Sequence, residues 1–154
     1  MKIRYFLIIV IFISIISCKK DGSISLKIQS ISSNIVPTDG SLEVVLSFTA
    51  NSGDVIDSIY MKKIRINQDS ADVPASQRVR DSLFLIVPSY PGSSKGQLML
   101  DLDNTNFLAS AANPPQVGNP PQNESDSLIL RFAVKDNANH TSDTVTTGLI
   151  VVLR

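Results

Sequence analysis

The chain has no tryptophan, one cysteine and one histidine in 154 residues. Without tryptophan it lacks the largest ring on which a sugar-binding platform is built. One cysteine forms no internal disulfide, so stability has to come from burial of apolar surface. The single histidine, His140, falls in a run of turn-forming residues, where no packing holds it against a nucleophile as Ser-His-Asp chemistry requires. With one histidine and one cysteine, a transition-metal site is not expected either. Fourteen bases balance fourteen acids, and the densest basic patch is Lys62-Lys63-Ile64-Arg65. Nucleic acid is therefore not an expected partner. No segment sustains a helical period, which points away from helical architectures.

What is present begins at Met1–Cys18. Lys2 and Arg4 form a short basic head, Tyr5–Ile16 is an apolar run broken only by Ser14, and Ser17 precedes the cysteine. The run is short for a transmembrane helix and suits the apolar region of a secretory signal. Ile15-Ile16-Ser17-Cys18 resembles the lipobox of bacterial lipoproteins: a branched apolar residue, a tolerated residue, a small residue, then cysteine. The resemblance implies cleavage after Ser17 and lipid on the Cys18 sulfur. A diacylglyceryl group with a further acyl chain (palmitate, for example) anchors a protein firmly, since each buried methylene contributes about 0.8 kcal/mol.

This divides the chain into a signal peptide at 1–17, a lipidated cysteine and tether at 18–23, and one domain at 24–154. The mature chain is slightly acidic, because the signal carries away Lys2 and Arg4 and no acid. No aspartate follows Cys18 directly. Lys19-Lys20-Asp21 partly resembles the export signal of surface lipoproteins of the Bacteroidota, and it reads equally as a solvated charged tether. The expected address is the cell envelope, at the outer membrane, with the periplasmic and the surface face both open.

From Ile24 onward the pattern has period two. Ile24, Leu26 and Ile28 alternate with polar residues, as do Leu42, Val44, Leu46 and Phe48, and Leu98, Leu100 and Leu102. Such alternation predicts half-buried strands. Pro37-Thr38-Asp39-Gly40 reads as a turn. Residues 55–66 form a strand whose apolar parity changes from Ile59 and Met61 to Ile64 and Ile66, which predicts a bulge near Lys62-Lys63. Asn67–Gln77 reads as a loop and Arg80–Val87 as a strand. Phe107–Ala112 fits a short strand or one helical turn. The repeat Asn113-Pro114-Pro115-Gln116 and Asn119-Pro120-Pro121-Gln122 predicts a long exposed loop of extended, non-sheet backbone, a stiff connector or a Pro-rich ligand. Leu128, Leu130, Phe132 and Val134 then alternate into the last hairpin.

About seven strands separated by turns predict an all-β, antiparallel immunoglobulin-like β-sandwich. Phe132-Ala133-Val134-Lys135-Asp136-Asn137-Ala138-Asn139-His140-Thr141-Ser142 resembles the closing hairpin of bacterial Ig-like domains. Asn139 stands where glycine is usual and His140 where asparagine is usual. The resemblance implies a fold and no catalytic residues.

Asp101-Leu102-Asp103-Asn104-Thr105-Asn106 has the alternating oxygens of a calcium loop. It lacks glycine at the sixth position and an acid at the twelfth, so it reads as a polar turn. A carboxylate pair for glycoside hydrolysis is a tertiary feature, and no pair stands out. Asp-Ser/Thr-apolar triplets occur at Ser58, Ser70, Ser82, Ser127 and Thr144, against about one expected from composition. They are similar to the O-glycosylation acceptor motif of exported Bacteroidota proteins, and they also spell the entry of a turn into a strand.

Leu83–Val87 and Leu149–Leu153 are apolar at every position, although only one face of a strand meets the core. With Leu83, Leu85 and Val87 inward, Phe84 and Ile86 point outward. Ile150 and Val152 are likewise expected to face away from the core. In one sheet these four would form an apolar partner surface, unless the Pro-rich segment or the 67–77 loop covers it. The functional expectation is a lipid-anchored, non-enzymatic binding or structural module without cofactor. Its partners would be the membrane, through the anchor, and an envelope protein or glycan. The alternative is an accessory subunit of a glycan-uptake or envelope-assembly complex.

Overall fold

The computed structural model describes residues 24–50, 55–67, 80–88, 92–109, 114 and 116–154. The signal segment, Cys18, the tether and most of the 67–77 loop lie outside the described residues. No helix among the described residues is long and apolar enough to cross a membrane.

The described chain is all-β. One sheet has the order β1-β3-β6, formed by Ser25–Ile31, Ser41–Thr49 and Lys95–Asp103. The other has the order β2-β10-β9-β4-β5, formed by Ile35–Val36, Val145–Val152, Asp126–Asp136, Ile56–Arg65 and Arg80–Ile86. All pairings are antiparallel except that of β2 with β10. A small ribbon, β7 (Gln116–Val117) with β8 (Gln122–Asn123), stands apart.

The inner faces of the two sheets share one core. Leu42, Val44, Leu46 and Phe48 from β3 meet Leu128, Leu130, Phe132 and Val134 from β9, with Ile59 and Met61 from β4. All are buried because period-two alternation sends every second side chain to one face. Gly96 lies directly opposite Phe48. A Cβ there would stand 2.8 Å from the ring's Cζ and 2.9 Å from Cε1. Gly96→Val is therefore expected to cost about 1–3 kcal/mol through displacement of the ring, read as a lower midpoint of urea unfolding.

The two ends of the molecule differ. Ser25, Thr49 and Lys95 form one terminal row of the first sheet. Ser58, Ile86 and Lys135 form a terminal row of the second. Ala50, next to the first row, and Val55, near the second, are five positions apart in sequence, so the rows share one end, the end at which the amino-terminal segment joins at Ile24. At the opposite end Ser41 faces Asp103, and Val152 faces Asp126.

Three expectations are corrected here. The bulge predicted at Lys62-Lys63 is absent: β4 pairs with β5 and β9 without a break there, and the register shift lies between Ile56 and Ser58. Parity does not change, so Lys63 and Arg65 point into the molecule and are buried, while Ile64 faces out. The Pro-rich segment is not wholly non-sheet, because its prolines 120 and 121 occupy the turn. That leaves the amides of Gln116-Val117 and Gln122-Asn123 free to pair. In β10 the inward and outward sets are reversed. Ile150 and Val152 are 2% and 0% exposed, whereas Leu149 and Leu153 face solvent. A register shift between Thr146 and Leu149 inserts a residue, and one extra residue flips every later side chain to the other face.

Between Asp103 and Ala109 the chain makes a single wide helical turn, Asn104–Leu108, closed by the Ala109 N–H donating to the Asn104 carbonyl at 2.6 Å. It buries Leu108 against the core.

Candidate functional site

The surface that stands out is the outward face of the five-stranded sheet. Phe84 and Ile86 project from β5 with 63% and 82% exposure. Their inward neighbours Leu83, Leu85 and Val87 pack against the core edge. Phe84 lies directly opposite Tyr60, which in turn faces Ala133 on β9. The Tyr60 hydroxyl donates to Ser82 Oγ at 2.9 Å, which satisfies its polar end and leaves the ring as surface. A shallow hollow of about 110 Å³ lies among Ser58, Tyr60, Phe84, Ala133, Lys135 and Thr141.

The four-residue patch of the sequence reading is not assembled. Phe84 and Ile86 sit on β5 at one edge, Ile150 and Val152 are inside, and β10 is separated from β5 by β9 and β4. The outward residues that sequence reasoning missed are Tyr60, which becomes part of the patch only through pairing opposite Phe84, and Leu149, whose exposure follows from the β10 shift.

Next to the aromatic pair runs a basic row. Lys62 on β4 lies directly opposite Arg131 on β9, and Lys135 follows along β9. Like charges directly opposite each other weaken a sheet. Beyond this row the face is apolar again, with Ile64 opposite Ile129 and Ile129 opposite Leu149.

A second feature is a groove of about 350 Å³ between the edge strands β5 and β6, lined by Leu85, Val87, Leu98, Leu100 and Phe107 among others. A third is an open polar hollow at Thr38–Gly40 and Asp103–Asn106. It contains part of the calcium-like run, but those groups are already engaged. Asp103 Oδ1 accepts from the Asn106 backbone N–H at 2.7 Å and from its side-chain amide at 3.0 Å. Buried Asn104 donates to the carbonyls of Pro37 and Leu153, each at 2.9 Å. Asp101 points outward opposite Glu43. No group of three or more His, Cys, Asp or Glu residues is arranged to hold a metal among the described residues.

His140 has a structural partner. Its Nδ1 lies 2.9 Å from Asp136 Oδ2, while Asp136 Oδ1 accepts from the backbone N–H groups of Ala138 (2.9 Å) and His140 (2.8 Å). Asn139 takes φ 71°, the left-handed conformation for which glycine is usual and asparagine the next most tolerant residue. The altered Asp-x-Ala hairpin therefore closes with its turn intact.

Of the candidate acceptor hydroxyls, Ser82 and Thr144 are exposed and Ser127 is half-buried. Ser70 lies outside the described residues. Ser58 is buried, with its hydroxyl donating to Asp57 Oδ1 at 2.6 Å, which leaves no room for a glycan in the folded protein.

The chain matches no protein-family model and no curated protein. Among solved structures it is similar to a β-glucosidase from Listeria innocua in complex with gluconolactone, at 14% identity and a TM-score of 0.46, over 86% of this chain and 16% of that one. It is also similar to Spo0M, a sporulation control protein from Bacillus subtilis, at 9% identity and a TM-score of 0.42, over 86% of this chain and 50% of that one. The chain thus spans a small part of the first and half of the second, and at these scores the likeness says nothing of activity.

Proposed function

We propose that this chain is a lipid-anchored, non-enzymatic module of the cell envelope, an immunoglobulin-like β-sandwich held to the membrane through Cys18. The observation that carries a binding role is the outward patch at Phe84, Ile86 and Tyr60, beside Lys62 and Arg131. Aromatic and basic side chains exposed together on a flat sheet face are costly to keep in water and suit a contact surface. The engagement of His140 by Asp136 supports a structural rather than catalytic role for the one histidine.

Cys18→Ala tests the anchor. The substituted protein is expected to leave the membrane fraction, or to retain its signal and its full unprocessed mass. Unchanged membrane partition together with unchanged mass overturns the anchor.

A further inference from the structure

The geometry points to an anionic phospholipid surface as the occupant of the Phe84–Ile86 patch, so that the domain lies with the outward face of its five-stranded sheet toward the membrane. This rests on the envelope-module reading above and names the partner of its contact face.

Three observations converge. First, the face is apolar and cationic together. Phe84, Ile86 and Tyr60 form its edge, Lys62, Arg131 and Lys135 its middle, and Asp57, at the β4 bulge, is the one carboxylate at an exposed strand position of this sheet among the described side chains. Asp57, bonded to the Ser58 hydroxyl at the bulge, and exposed Asp143 only flank it. Rings and branched chains suit the boundary between headgroups and acyl chains, and lysine and arginine suit anionic headgroups. The Lys62–Arg131 juxtaposition, unfavourable within the sheet, becomes favourable against negative charge.

Second, the opposite face is mixed in sign: exposed Lys27 and Lys95 toward its tethered end are offset by carboxylates toward the other end. On the three-stranded sheet Glu43 lies directly opposite Asp101, and Asp103 pairs with Ser41 at the same end. An anionic surface is therefore attracted more strongly to the basic face of the five-stranded sheet than to this mixed one.

Third, the patch is at the tethered end. Ile86 shares the terminal row with Ser58 and Lys135, at the end where Ile24 joins the six residues that lead back to Cys18. Six residues reach at most roughly 20 Å. An acyl group on Cys18 therefore holds this end of the domain close to the headgroups.

The absence of tryptophan supplies the probe. Phe84→Trp places a lone indole in the patch, and Met99→Trp places one on the outward face of the other sheet, where Met99 is also exposed. Each mature protein is reconstituted into vesicles of phosphatidylcholine with phosphatidylglycerol, with and without brominated acyl chains. The indole at position 84 is expected to shift to the blue and be quenched by bromine, and the indole at 99 is not. Partition of the unanchored Cys18→Ser chain onto the same vesicles is expected to fall roughly a hundredfold when Lys62, Arg131 and Lys135 are changed to Gln.

An unquenched indole at position 84 in the lipidated protein overturns the proposal. So does shielding that follows protein concentration rather than lipid, which identifies a second copy as the occupant, and so does shielding seen only with other envelope proteins present. The anchor is judged separately, by the mass of the mature chain. If Cys18 proves unmodified, quenching of the unanchored chain by added vesicles still upholds the contact, and its absence overturns it.

Discussion

Asp126→Ala is expected to lower the unfolding free energy by about 3–5 kcal/mol, the cost of stranding a buried charge. Asp126 is fully buried at the start of β9. Its Oδ1 lies 2.7 Å from Arg65 Nε and its Oδ2 lies 3.0 Å from Arg154 Nε. Glu124 adds a longer contact of 3.8 Å to Arg65 Nη2. One carboxylate thus joins the end of β4, the start of β9 and the residues after β10. Removing it leaves the Arg65 guanidinium inside the protein without its closest counter-charge. The double variant Arg65→Met with Asp126→Leu removes the charge as well as its partner, and Arg154, nearer the surface, can turn to water. That variant is expected to be at least about 1 kcal/mol more stable than Asp126→Ala. Urea unfolding of both variants decides the matter. A single variant no less stable than the double one would show that the cluster contributes through packing rather than through charge.

Asp136→Ala is the second large effect, expected to cost about 2–4 kcal/mol because hydrogen bonds to a buried charged group are worth more than neutral ones. The Asp136 carboxylate is buried and holds two backbone N–H groups and the His140 ring. The same turn joins the entry to β4: the Asn137 N–H donates to the Val55 carbonyl at 3.0 Å. Loss of the carboxylate leaves turn donors unsatisfied beside the core and loosens both segments. His140→Ala is expected to cost less than about 1 kcal/mol, since the ring is partly exposed and removes one partner only. Equal losses in the two variants, measured by thermal and urea unfolding, would move the main contribution from the turn's backbone to the imidazole.

The strands of the core were legible because local pattern and burial agree. In β3 and β9 a large apolar residue recurs at every second position, Leu42 to Phe48 and Leu128 to Val134, which favours one way to hide the apolar set, and the Asp136–His140 turn announces itself by residues that accept special backbone angles. Likewise, the period of β5 sends Phe84 and Ile86 opposite to Leu83 and Leu85 whatever the strand's neighbours are.

Other features depend on distant residues. Arg65 faces inward because Asp126, 61 positions later, is there to receive it. Without that partner in view, the run Ile59-Tyr60-Met61-Lys62-Lys63-Ile64-Arg65 reads as a slip in register. The reversal in β10 hangs on one residue inserted against β9, and continuous apolar sequence carries no parity of its own to reveal it. Strand order is equally invisible locally, and it decided that the β5 and β10 surfaces lie at separate places on one sheet. By itself the sequence determined the all-β character, the positions of the main strands and turns, and which side chains alternate. Only the tertiary structure decided which set faces the core where both are apolar or charged, as in β10 and the end of β4, which buried charges find counter-charges, and which exposed residues become neighbours. Period two specifies two faces without labelling them, and the label comes from register and pairing across the sheet.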